Sequence, residues 1–497
     1  MSIATVRPTV AIVGGGLAGL AAAVALCEQG LQVQLYESRR RLGGRATSFR
    51  DPSSGELVDH CQHVSMGCCT NFADFCRRTG IAEAFQSDSR LHFFGRDGRA
   101  CTLEASRWLP APLHLAPSLW RQKYLSPGQR LSIARTLWRL IRLRVDDDES
   151  QPAIGRWLES QGQSPAAIKR FWSVVLVSAL GETLDRASLV QARKVFVDGF
   201  LAARQACRID VPRIPLGDLY ARLQDWLARR QVAIHLGTAV KRIDGDASAV
   251  TAVDLADGDR RPCDAAIVAV PWGWAPLMFS AGVLSMLPNL EAASQIECAP
   301  ISGIHLWFDR QITPLPHAVL VGRLSQWIFS RVGNWEDAPR AGVPLDARGE
   351  TNEADSTPST RHPPAATHYY QVVVSASRSI EGRPRQEILR QVVAELAEVW
   401  PAAQEARLVR WRIVTEHTAV FSVRPGLDRL RPPQRTPIAN LALAGDWTRT
   451  GWPSTMEGAV RSGYLAAEVI LEHFGMPRPQ LVPDLPRNLL TRLLIKA

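Results

Sequence analysis

The residues with the clearest chemistry lie near the start of the chain. Gly14, Gly16 and Gly19 follow the short apolar run Thr9–Val13 and open an alanine-rich stretch. This spacing predicts a strand, a tight turn and a helix. The first glycine permits the turn, the second lets the backbone approach a pyrophosphate, and the third allows the helix to pack closely on the strand. The sequence therefore predicts a dinucleotide-binding turn.

The residues after these glycines fit the same site. Leu17 and Ala18 begin the predicted helix, whose unpaired N–H groups and partial positive charge would face the phosphates. A second strand-like run, 31–37, ends at Glu37, about twenty residues after the glycines. A carboxylate at this place can accept hydrogen bonds from both ribose hydroxyls.

The residue pattern does not support metal or disulfide chemistry. Four of the nine cysteines cluster without a CxxC pair, at Cys61, Cys68, Cys69 and Cys76. The eleven histidines form no HxxxH or HxxE arrangement, so no zinc or other metal site is expected. These features are typical of a reduced, cytoplasmic protein.

Length and composition predict a globular enzyme of two to four domains. The chain has 497 residues, of which 46% are hydrophobic and 21% charged, and these values exclude wholesale disorder and a fibrous rod. The net charge of +10 could indicate an anionic partner, but only five of the 58 basic residues are lysines. Because genomic base composition can produce such an arginine skew, no nucleic-acid partner is expected from the charge alone.

The coarse organisation predicts a mixed α/β plus α+β architecture. Helical runs such as 388–399 alternate with strand-like runs, at 233–236, 265–270, 369–375 and 441–443. Between 337 and 367, prolines, small polar residues and charges replace apolar periodicity, as in a flexible surface insertion. The chain contains no run of 18 apolar residues, so any membrane contact is expected to be peripheral.

The segment ESRRRLGGR, residues 37–45, resembles the turn after the second strand in the FAD-dependent amine oxidase and carotenoid desaturase superfamily. The resemblance implies FAD contacts for five of its residues: Gly43, Gly44 and Arg45 at the pyrophosphate, and Ser38 and Arg39 near the adenosine end. An arginine suits this position because its guanidinium can donate two charge-assisted hydrogen bonds to phosphate oxygens. FAD, rather than NAD, is therefore expected as the tightly bound cofactor.

Two later segments resemble the same superfamily. Residues 213–270 are similar to its middle FAD-domain segment, which implies that Val240 meets the adenine. Residues 440–468, NLALAGDWTRTGWPSTMEGAVRSGYLAAE, are similar to its last flavin-binding motif, a strand followed by a helix that starts near Ser454. This similarity implies that six residues lie at the flavin: Gly445, Asp446, Trp452, Pro453, Thr455 and Met456. The positive end of the helix dipole would then face the flavin C2 carbonyl.

Within the superfamily, the chain resembles the bacterial hydroxysqualene dehydroxylases of squalene and hopanoid synthesis. The resemblance rests on FRDPSSGELVDHCQHVSMG at 49–67 and GDWTRTGWPSTMEGAVRSG at 445–463. The chain departs from the family pattern at His60 and Cys61, where Asn and Gly are usual. The family implies reductive removal of an allylic hydroxyl from hydroxysqualene, with reduced FAD as hydride donor and an apolar tunnel for the C30 chain.

The departing hydroxyl needs a proton, and His63 is the candidate donor. A histidine titrates near neutral pH, and His63 lies with Gln62 in the segment expected at the flavin, where Asp59 could orient its ring. Apolar residues of two regions could line the tunnel or pack in an ordinary core: Phe171, Trp172, Val174, Leu176, Trp307, Phe308, Trp327 and Phe329.

A basic amphipathic helix is predicted from Pro127 to about residue 145. Its arginines fall on one stripe, at Arg135, Arg139 and Arg142, and its apolar residues fall on the opposite face, at Ile133, Ala134, Leu137, Trp138, Leu140 and Ile141. Such a helix, together with the basic apolar stretch 487–497, can lie in a membrane interface or pack on its own domain. We expect a cytoplasmic protein with peripheral contact to the inner face of the cytoplasmic membrane.

The positions of the flavin motifs and the resemblance predict an interleaved chain. A Rossmann-like FAD-binding domain is expected from residues 1–75, 205–275 and 405–475. A substrate-binding domain of mixed sheet and helices is expected from residues 76–204 and 276–404, and residues 476–497 would form a C-terminal tail.

Other functions stay open at this point. A carotenoid or C30 isoprenoid desaturase, or a flavin amine oxidase, would use the flavin oxidatively. An amine oxidase would need an aromatic pair at the flavin, for which Trp447 and Trp452 are the available residues. A non-catalytic FAD-bound lipid carrier would show no redox change. No second glycine fingerprint follows a strand, so NAD(P)H and a redox protein both stay open as electron donor.

Overall fold

The computed structural model describes four ranges of the chain: 7–52, 55–144, 150–330 and 367–496. The predicted insertion 337–367 lies outside these ranges, apart from Thr367.

The described residues form twenty strands: β1 (Thr9–Val13), β2 (Gln32–Glu37), β3 (Ser48–Arg50), β4 (Leu57–Asp59), β5 (Ser65–Met66), β6 (Phe85–Asp88), β7 (Arg90–Phe94), β8 (Ala100–Glu104), β9 (Ile209–Pro212), β10 (Ala233–Leu236), β11 (Val240–Gly245), β12 (Val250–Leu255), β13 (Arg260–Pro262), β14 (Ala265–Val268), β15 (Cys298–Phe308), β16 (His317–Leu320), β17 (Trp327–Ser330), β18 (His368–Val374), β19 (Leu408–Phe421) and β20 (Leu441–Leu443).

The same ranges contain fifteen α-helices: α1 (Leu17–Cys27), α2 (Thr70–Arg78), α3 (Ala116–Trp120), α4 (Pro127–Arg142), α5 (Ile154–Ser160), α6 (Pro165–Ala167), α7 (Ser173–Leu180), α8 (Leu189–Phe196), α9 (Leu216–Ala228), α10 (Ala281–Ser285), α11 (Pro288–Ala293), α12 (Arg385–Val399), α13 (Ala402–Glu405), α14 (Met456–His473) and α15 (Leu489–Leu494). Two further segments are π-helical, Ile168–Trp172 and Val197–Leu201.

A five-stranded parallel sheet, in the order β10-β2-β1-β14-β20, organises the first layer. Strands β1 and β14 are buried and almost wholly apolar because both of their faces are covered, which is typical of parallel sheets. Helices α1 and α14 pack together beside this sheet, and Ala18 lies against Gly463 at their crossing. The strands come from three separated parts of the chain, within 9–37, 233–268 and 441–443.

A second sheet has seven strands, in the order β19-β15-β18-β17-β16-β7-β8. Its strand pairs are antiparallel except for β16 and β7, which run parallel. Helix α12 covers one face, where Val392 and Leu396 join Ile304 and Val372 in a buried cluster. The parallel sheet with helices and the mixed sheet with a covering helix confirm the predicted α/β plus α+β fold class.

Strand β19 falls in the predicted FAD-binding stretch 405–475, yet it pairs with β15 over most of its length in the second sheet. We therefore propose that the last FAD-binding stretch begins after Phe421. The other predicted domain limits stay predictions.

Gly463→Ala should destabilise the fold. A Cβ at Gly463 would lie 2.2 Å from the Ala18 carbonyl oxygen, so α14 would have to move away from α1. We expect the free energy of unfolding to fall by about 1–3 kcal/mol in denaturant titrations. Gly128→Ala in α4 is the matched control, because its added Cβ meets no atom within 4 Å. Equal stabilities of the two variants would contradict the prediction.

Candidate active site

Close packing requires glycine at the first and third glycine positions of the turn between β1 and α1. Gly14 has φ of +113°, and a Cβ there would lie 2.5 Å from the carbonyl oxygen of Ala269. A Cβ at Gly19 would lie 2.0 Å from the Gly14 carbonyl oxygen. Side chains at either position would force the turn or the helix away from the sheet.

The second glycine borders open space. The nearest atom to a Cβ on Gly16 would be the Cα of Gly44, at 3.9 Å. Gly16 is also the N-cap of α1, so no side chain covers the N-terminus of the helix that begins at Leu17. This open cradle at an uncapped helix N-terminus fits a pyrophosphate.

Glu37 is held beside this turn at the end of β2. Its carboxylate accepts hydrogen bonds from the N–H groups of Gly15 (2.7 Å) and Arg39 (2.8 Å), and the Ser38 hydroxyl donates to it at 3.3 Å. The carboxylate is buried and fixed in orientation next to the cradle. Its position fits the predicted contact with the ribose hydroxyls.

The Gly-Gly-Arg segment runs alongside the glycine turn. The Gly43 N–H donates to the Gly15 carbonyl at 2.9 Å, and Gly43 also forms a parallel bridge with Gly16. The next side chain, Arg45, donates to the carbonyl of Ala419 at 3.1 Å. The structure thus brings residues 43–45 to the cradle, as the resemblance implies.

Arg45 also forms an ion pair with Asp446, which follows the positive-φ residue Gly445 just after β20. Asp446 is buried, and the Ser454 hydroxyl donates to its carboxylate. Arg431 donates to the Asp446 carbonyl at 3.0 Å from a fully buried position. The first and last predicted flavin segments therefore meet through Arg45 and Asp446.

Arg431 was not among the site residues predicted from the sequence. Its guanidinium also donates to the Thr448 carbonyl (2.6 Å) and the Thr450 hydroxyl (3.2 Å) and pairs with Asp428 (2.9 Å). It thereby fixes the loop between β20 and α14 that carries the flavin residues. The sequence contains no spacing signal that distinguishes this arginine from the others.

The N-terminus of α14 completes this side of the site. The Thr455 hydroxyl accepts the Gly458 N–H at 3.0 Å and donates to the Pro453 carbonyl at 3.1 Å, so the helix begins at Met456. Glu457, which the sequence reasoning also missed, accepts N–H groups of α2 from a buried position. The dipole interaction of this helix end with a flavin carbonyl stays a prediction.

The two candidate aromatic residues have different surroundings. Trp447 is buried, and its indole N–H donates to the Val270 carbonyl at 3.0 Å, so its ring belongs to the core. Trp452 lies between two cations, with Lys194 at 4.6 Å and Arg461 at 5.0 Å from its ring centroid. Trp447 and Trp452 therefore do not form the paired aromatic surface that an amine oxidase was expected to need.

His63 is half-buried beside the same region. Its Nδ1 lies 2.9 Å from the carbonyl oxygen of Cys61, which can only accept, so Nδ1 carries the hydrogen and Nε2 is left to exchange a proton. Burial lowers the pKa of His63, and this effect outweighs the opposing influence of Asp59. The neighbouring Gln62 side chain donates to the His63 carbonyl at 3.2 Å.

Asp59 is fixed by other groups. Its carboxylate accepts the Ser48 hydroxyl at 2.6 Å and the Leu216 N–H at 2.9 Å, which caps the start of α9. These bonds give Asp59 a structural role, and its orienting role for His63 stays a prediction. His60 stands where the family pattern has Asn. Burial lowers the pKa of its imidazole to about 4, so the ring is neutral at neutral pH.

The residues present fit FAD. The open cradle at Gly16, the fixed carboxylate of Glu37 and the ion pair of half-buried Arg45 with buried Asp446 would supply the phosphate, ribose and ribityl contacts that the cofactor needs. Val240 begins β11, the strand of the predicted adenine contact. No group of three or more histidine, cysteine or acidic residues could hold a metal ion in the part of the chain that the structure describes. All nine cysteines are free thiols.

An apolar cavity of about 170 Å³ lies among α3, α4, α7 and residues 196–201, beside strands β7 and β8. Aromatic and aliphatic side chains line it, including Phe93, Leu137, Trp138, Phe171, Val174, Phe196 and Phe200. Of the predicted tunnel residues, Phe171 and Val174 line this cavity, whereas Trp172 and Leu176 are fully buried in the core. Trp307, Phe308, Trp327 and Phe329 lie in strands of the second sheet. Those six residues are not among the lining residues of this cavity, which agrees with the alternative of ordinary packing.

The segment 194–201 connects this cavity to the flavin residues. Phe196 and Phe200 line the cavity, while Lys194 contacts the ring of Trp452. Between them, Gly199 lies against Met66, close to His63 in the chain. The segment 194–201 therefore contacts both the cavity and Trp452, one of the predicted flavin residues.

This fold and site define an FAD-dependent oxidoreductase. A family model described as flavin containing amine oxidoreductase matches residues 17–471. The chain belongs to this family, and FAD is its cofactor.

Curated relatives match nearly the whole chain. A probable zeta-carotene desaturase of Synechococcus elongatus is 26% identical over 491 residues, covering 93% of this chain and 98% of the relative. A hydroxysqualene dehydroxylase of Zymomonas mobilis is 24% identical over 469 residues, covering 93% and 99%. These relatives confirm the resemblance seen in the sequence.

Among solved structures, an oxidoreductase from Methanosarcina mazei has a TM-score of 0.67 at 14% identity, covering 93% of this chain and all of that one. This likeness confirms the fold.

Gly16→Ala should weaken FAD binding without disturbing the protein. The added methyl group meets no atom of the chain closer than 3.9 Å but occupies the space proposed for the pyrophosphate. We expect the Kd of the apoprotein for FAD to rise by roughly tenfold or more, with an unchanged apoprotein Tm. Gly282→Ala, where a Cβ meets nothing within 4 Å, is the control. Wild-type FAD affinity in Gly16→Ala would place the pyrophosphate elsewhere.

Proposed function

We propose that this protein removes the allylic hydroxyl of hydroxysqualene reductively and yields squalene. The observation that carries the proposal is the chemistry of the cavity, whose lining is almost wholly aliphatic and aromatic and lies one helical segment from the flavin residues. Such a lining suits a long isoprenoid chain, and the guanidinium of Arg170, which is part of the lining, donates to the carbonyl of Tyr124 at 3.3 Å. The Zymomonas mobilis relative carries the name of this activity.

The overall change requires two electrons and one proton. When bound, reduced FAD supplies a hydride: the allylic C–O bond breaks, a C–H bond forms, and the hydroxyl leaves as water with one proton. The chain has to orient the allylic carbon, exclude water and deliver that proton. The apolar cavity does the first two through its shape and dryness.

His63 is the proposed source of the proton. Its Nδ1–H is committed to the Cys61 carbonyl, so Nε2 is the atom that exchanges a proton with the substrate. In its imidazolium form His63 donates to the leaving hydroxyl; in its neutral form it accepts a proton instead. The direction of the reaction therefore decides which form of His63 is active.

Desaturation of a carotenoid or C30 isoprenoid is the second candidate. It is favoured by the relatives named as zeta-carotene desaturases and by the lowered pKa of His63, which leaves its Nε2 able to accept a proton at neutral pH. In this case the substrate loses a hydride and a proton, and oxidised FAD is the acceptor. Amine oxidation has no comparable support, because Trp447 belongs to the core.

Anaerobic mixing distinguishes these functions from lipid transport. The reduced holoprotein is mixed with hydroxysqualene, and the oxidised holoprotein with phytoene, while flavin absorbance and product mass are followed. Flavin oxidation with equimolar squalene is the expected result. Flavin reduction by phytoene would support the desaturase instead, and unchanged flavin in both mixtures would support a carrier. The same assay with NAD(P)H or a reduced ferredoxin tests the electron donor.

The pH dependence of flavin oxidation by hydroxysqualene should follow His63. Because burial lowers its pKa below 6.5, the imidazolium form is scarce at pH 7 and grows as the pH falls. We expect the single-turnover rate to rise as pH decreases through 6.5, and His63→Gln to abolish this rise. The control is His368→Gln at an exposed position of β18. A rate that instead falls with acidification would make His63 a base and favour desaturation.

We further propose that the protein takes its substrate from an anionic membrane surface. Exposed apolar side chains lie on α4 and on the preceding turn and helix, at Leu113, Trp120, Leu131 and Trp138. Leu113 and Trp138 also line the cavity. In the described ranges no helix is long and apolar enough to cross a bilayer, so the proposed contact is an interfacial one at the inner face of the cytoplasmic membrane.

Helix α4 packs on the protein with one face and leaves an apolar and basic surface exposed on another. Ile133 and Leu140 pack in the core of its own domain, whereas Trp138 keeps 46% of its surface exposed. The stripe of Arg135, Arg139 and Arg142 is exposed and suits anionic head groups.

Trp138→Glu combined with Leu131→Glu should abolish binding to vesicles of anionic phospholipid. Both side chains are exposed, so the substitutions remove interfacial apolar surface and add repulsive charge without disturbing the core. Co-sedimentation measures the bound fraction. Trp274→Glu is the matched control, because Trp274 is 67% exposed in a separate turn after β14. Undiminished binding of the double variant would remove α4 from the contact.

A further inference from the structure

The segment 487–496, which includes α15, bonds to two walls of the apolar cavity. The Asn488 side chain donates to the carbonyl of Ala111 at 3.1 Å, directly before the cavity-lining turn that precedes α3. The Lys496 N–H donates to the carbonyl of Ile141 at 2.9 Å, and Ile141 itself lines the cavity on α4. The segment therefore ties the turn and α4 together.

The third wall is the π-helical segment Val197–Leu201. The Ala202 N–H donates to the carbonyl five residues earlier at 2.7 Å, a geometry that needs support from surrounding packing. Ile495 gives that support, since it is buried in a cluster with Val197, Leu201, Ala202 and Ile141. Ile495 thus touches both the π-helical wall and the α4 wall.

Polar contacts hold the same wall from outside. Arg487 pairs with Asp198 of the π-helical segment at 3.2 Å. Arg193 of the preceding helix α8 donates to the carbonyl of Lys496. Apolar and polar contacts of 487–496 therefore act on one helical stretch of about two turns.

The inner side of that stretch forms the cavity surface. Phe196 stacks on Phe171 with ring centroids 5.9 Å apart, and Phe200 lies 6.2 Å from Phe196. These three rings line the cavity. A shift of the π-helical segment would move two of these rings and change the shape of the cavity.

We propose that residues 487–496 are a positioning element for substrate: by bracing the turn before α3, helix α4 and the π-helical segment, they hold the apolar cavity in its binding shape. The proposal rests on the proposed function only in taking this cavity as the substrate site. Ile495 is the central positioning residue because it contacts two of the three walls. None of the bonds of 487–496 described above involves the flavin residues, so FAD binding should be independent of the element.

Neighbouring residues of the segment provide a matched control. Leu489 and Leu493 of α15 are 78% and 74% exposed, whereas Ile495 is 3% exposed. An aspartate at Leu493 adds the same charge to the same segment without entering the cluster. An aspartate at Ile495 places a charge against apolar side chains, which is strongly unfavourable.

The test uses Nile red as an apolar probe of the holoprotein, with squalene as competitor. We expect Ile495→Asp to weaken squalene-displaceable binding by roughly tenfold, while Leu493→Asp and Ile495→Val bind like the wild type. FAD content should stay close to wild type in all three. The buried charge should lower the Tm of Ile495→Asp, so probe binding is measured well below that Tm. With hydroxysqualene, Ile495→Asp should raise KM and leave kcat within about twofold.

Equal probe affinities in Ile495→Asp and Leu493→Asp would overturn the proposal. If Ile495→Asp does not fold, the combination of Asn488→Ala and Arg487→Gln, which removes the bonds to Ala111 and Asp198, replaces it with the same expected loss. Probe binding does not depend on turnover. If the wild-type protein binds Nile red but leaves hydroxysqualene unchanged, the proposed reaction is refuted. The probe affinities of the variants still test the role of residues 487–496 in that case.

Discussion

The pairing of Arg45 with Asp446 joins the two ends of the flavin site. These residues are 401 positions apart, so the site exists only once the parallel sheet has brought β20 into the same sheet as β1. Arg431 secures the arrangement from within the protein, because its guanidinium bonds to the carbonyl groups that flank this corner. In a buried setting such charge-assisted bonds are strong, and losing one partner leaves the others unsatisfied.

Local sequence determined the parallel sheet well. The strands β1, β10 and β20 have the bounds expected from their residues, because short apolar runs between glycines or turns favour buried strands. The order of the strands in the second sheet could not be predicted in this way. Its longest strands, β15 and β19, pair across about a hundred residues, and a pairing of that kind depends on neighbours that no local pattern specifies.

The same division holds within the site. The glycine turn and the Gly-Gly-Arg segment were predictable because backbone geometry requires those residue types wherever the chain approaches a phosphate. The cavity was not predictable, since an apolar side chain such as Leu176 has the same pattern whether it fills a core or faces open space. The amphipathic pattern of α4 likewise could not separate Ile133, which packs in the core, from Trp138, which lines the cavity.

The pairing of α1 with α14 has a consequence for synthesis of the protein. Ten consecutive residues of α1, from Leu17 to Leu26, are buried, and part of their cover, α14, lies near the other end of the chain. Ribosomes add about 5–20 residues per second, so this wholly apolar helix waits on the order of tens of seconds for its cover. During that interval the nascent chain exposes an apolar surface of the kind that chaperones bind. The cofactor can bind only at the end of translation, when both halves of its site are present.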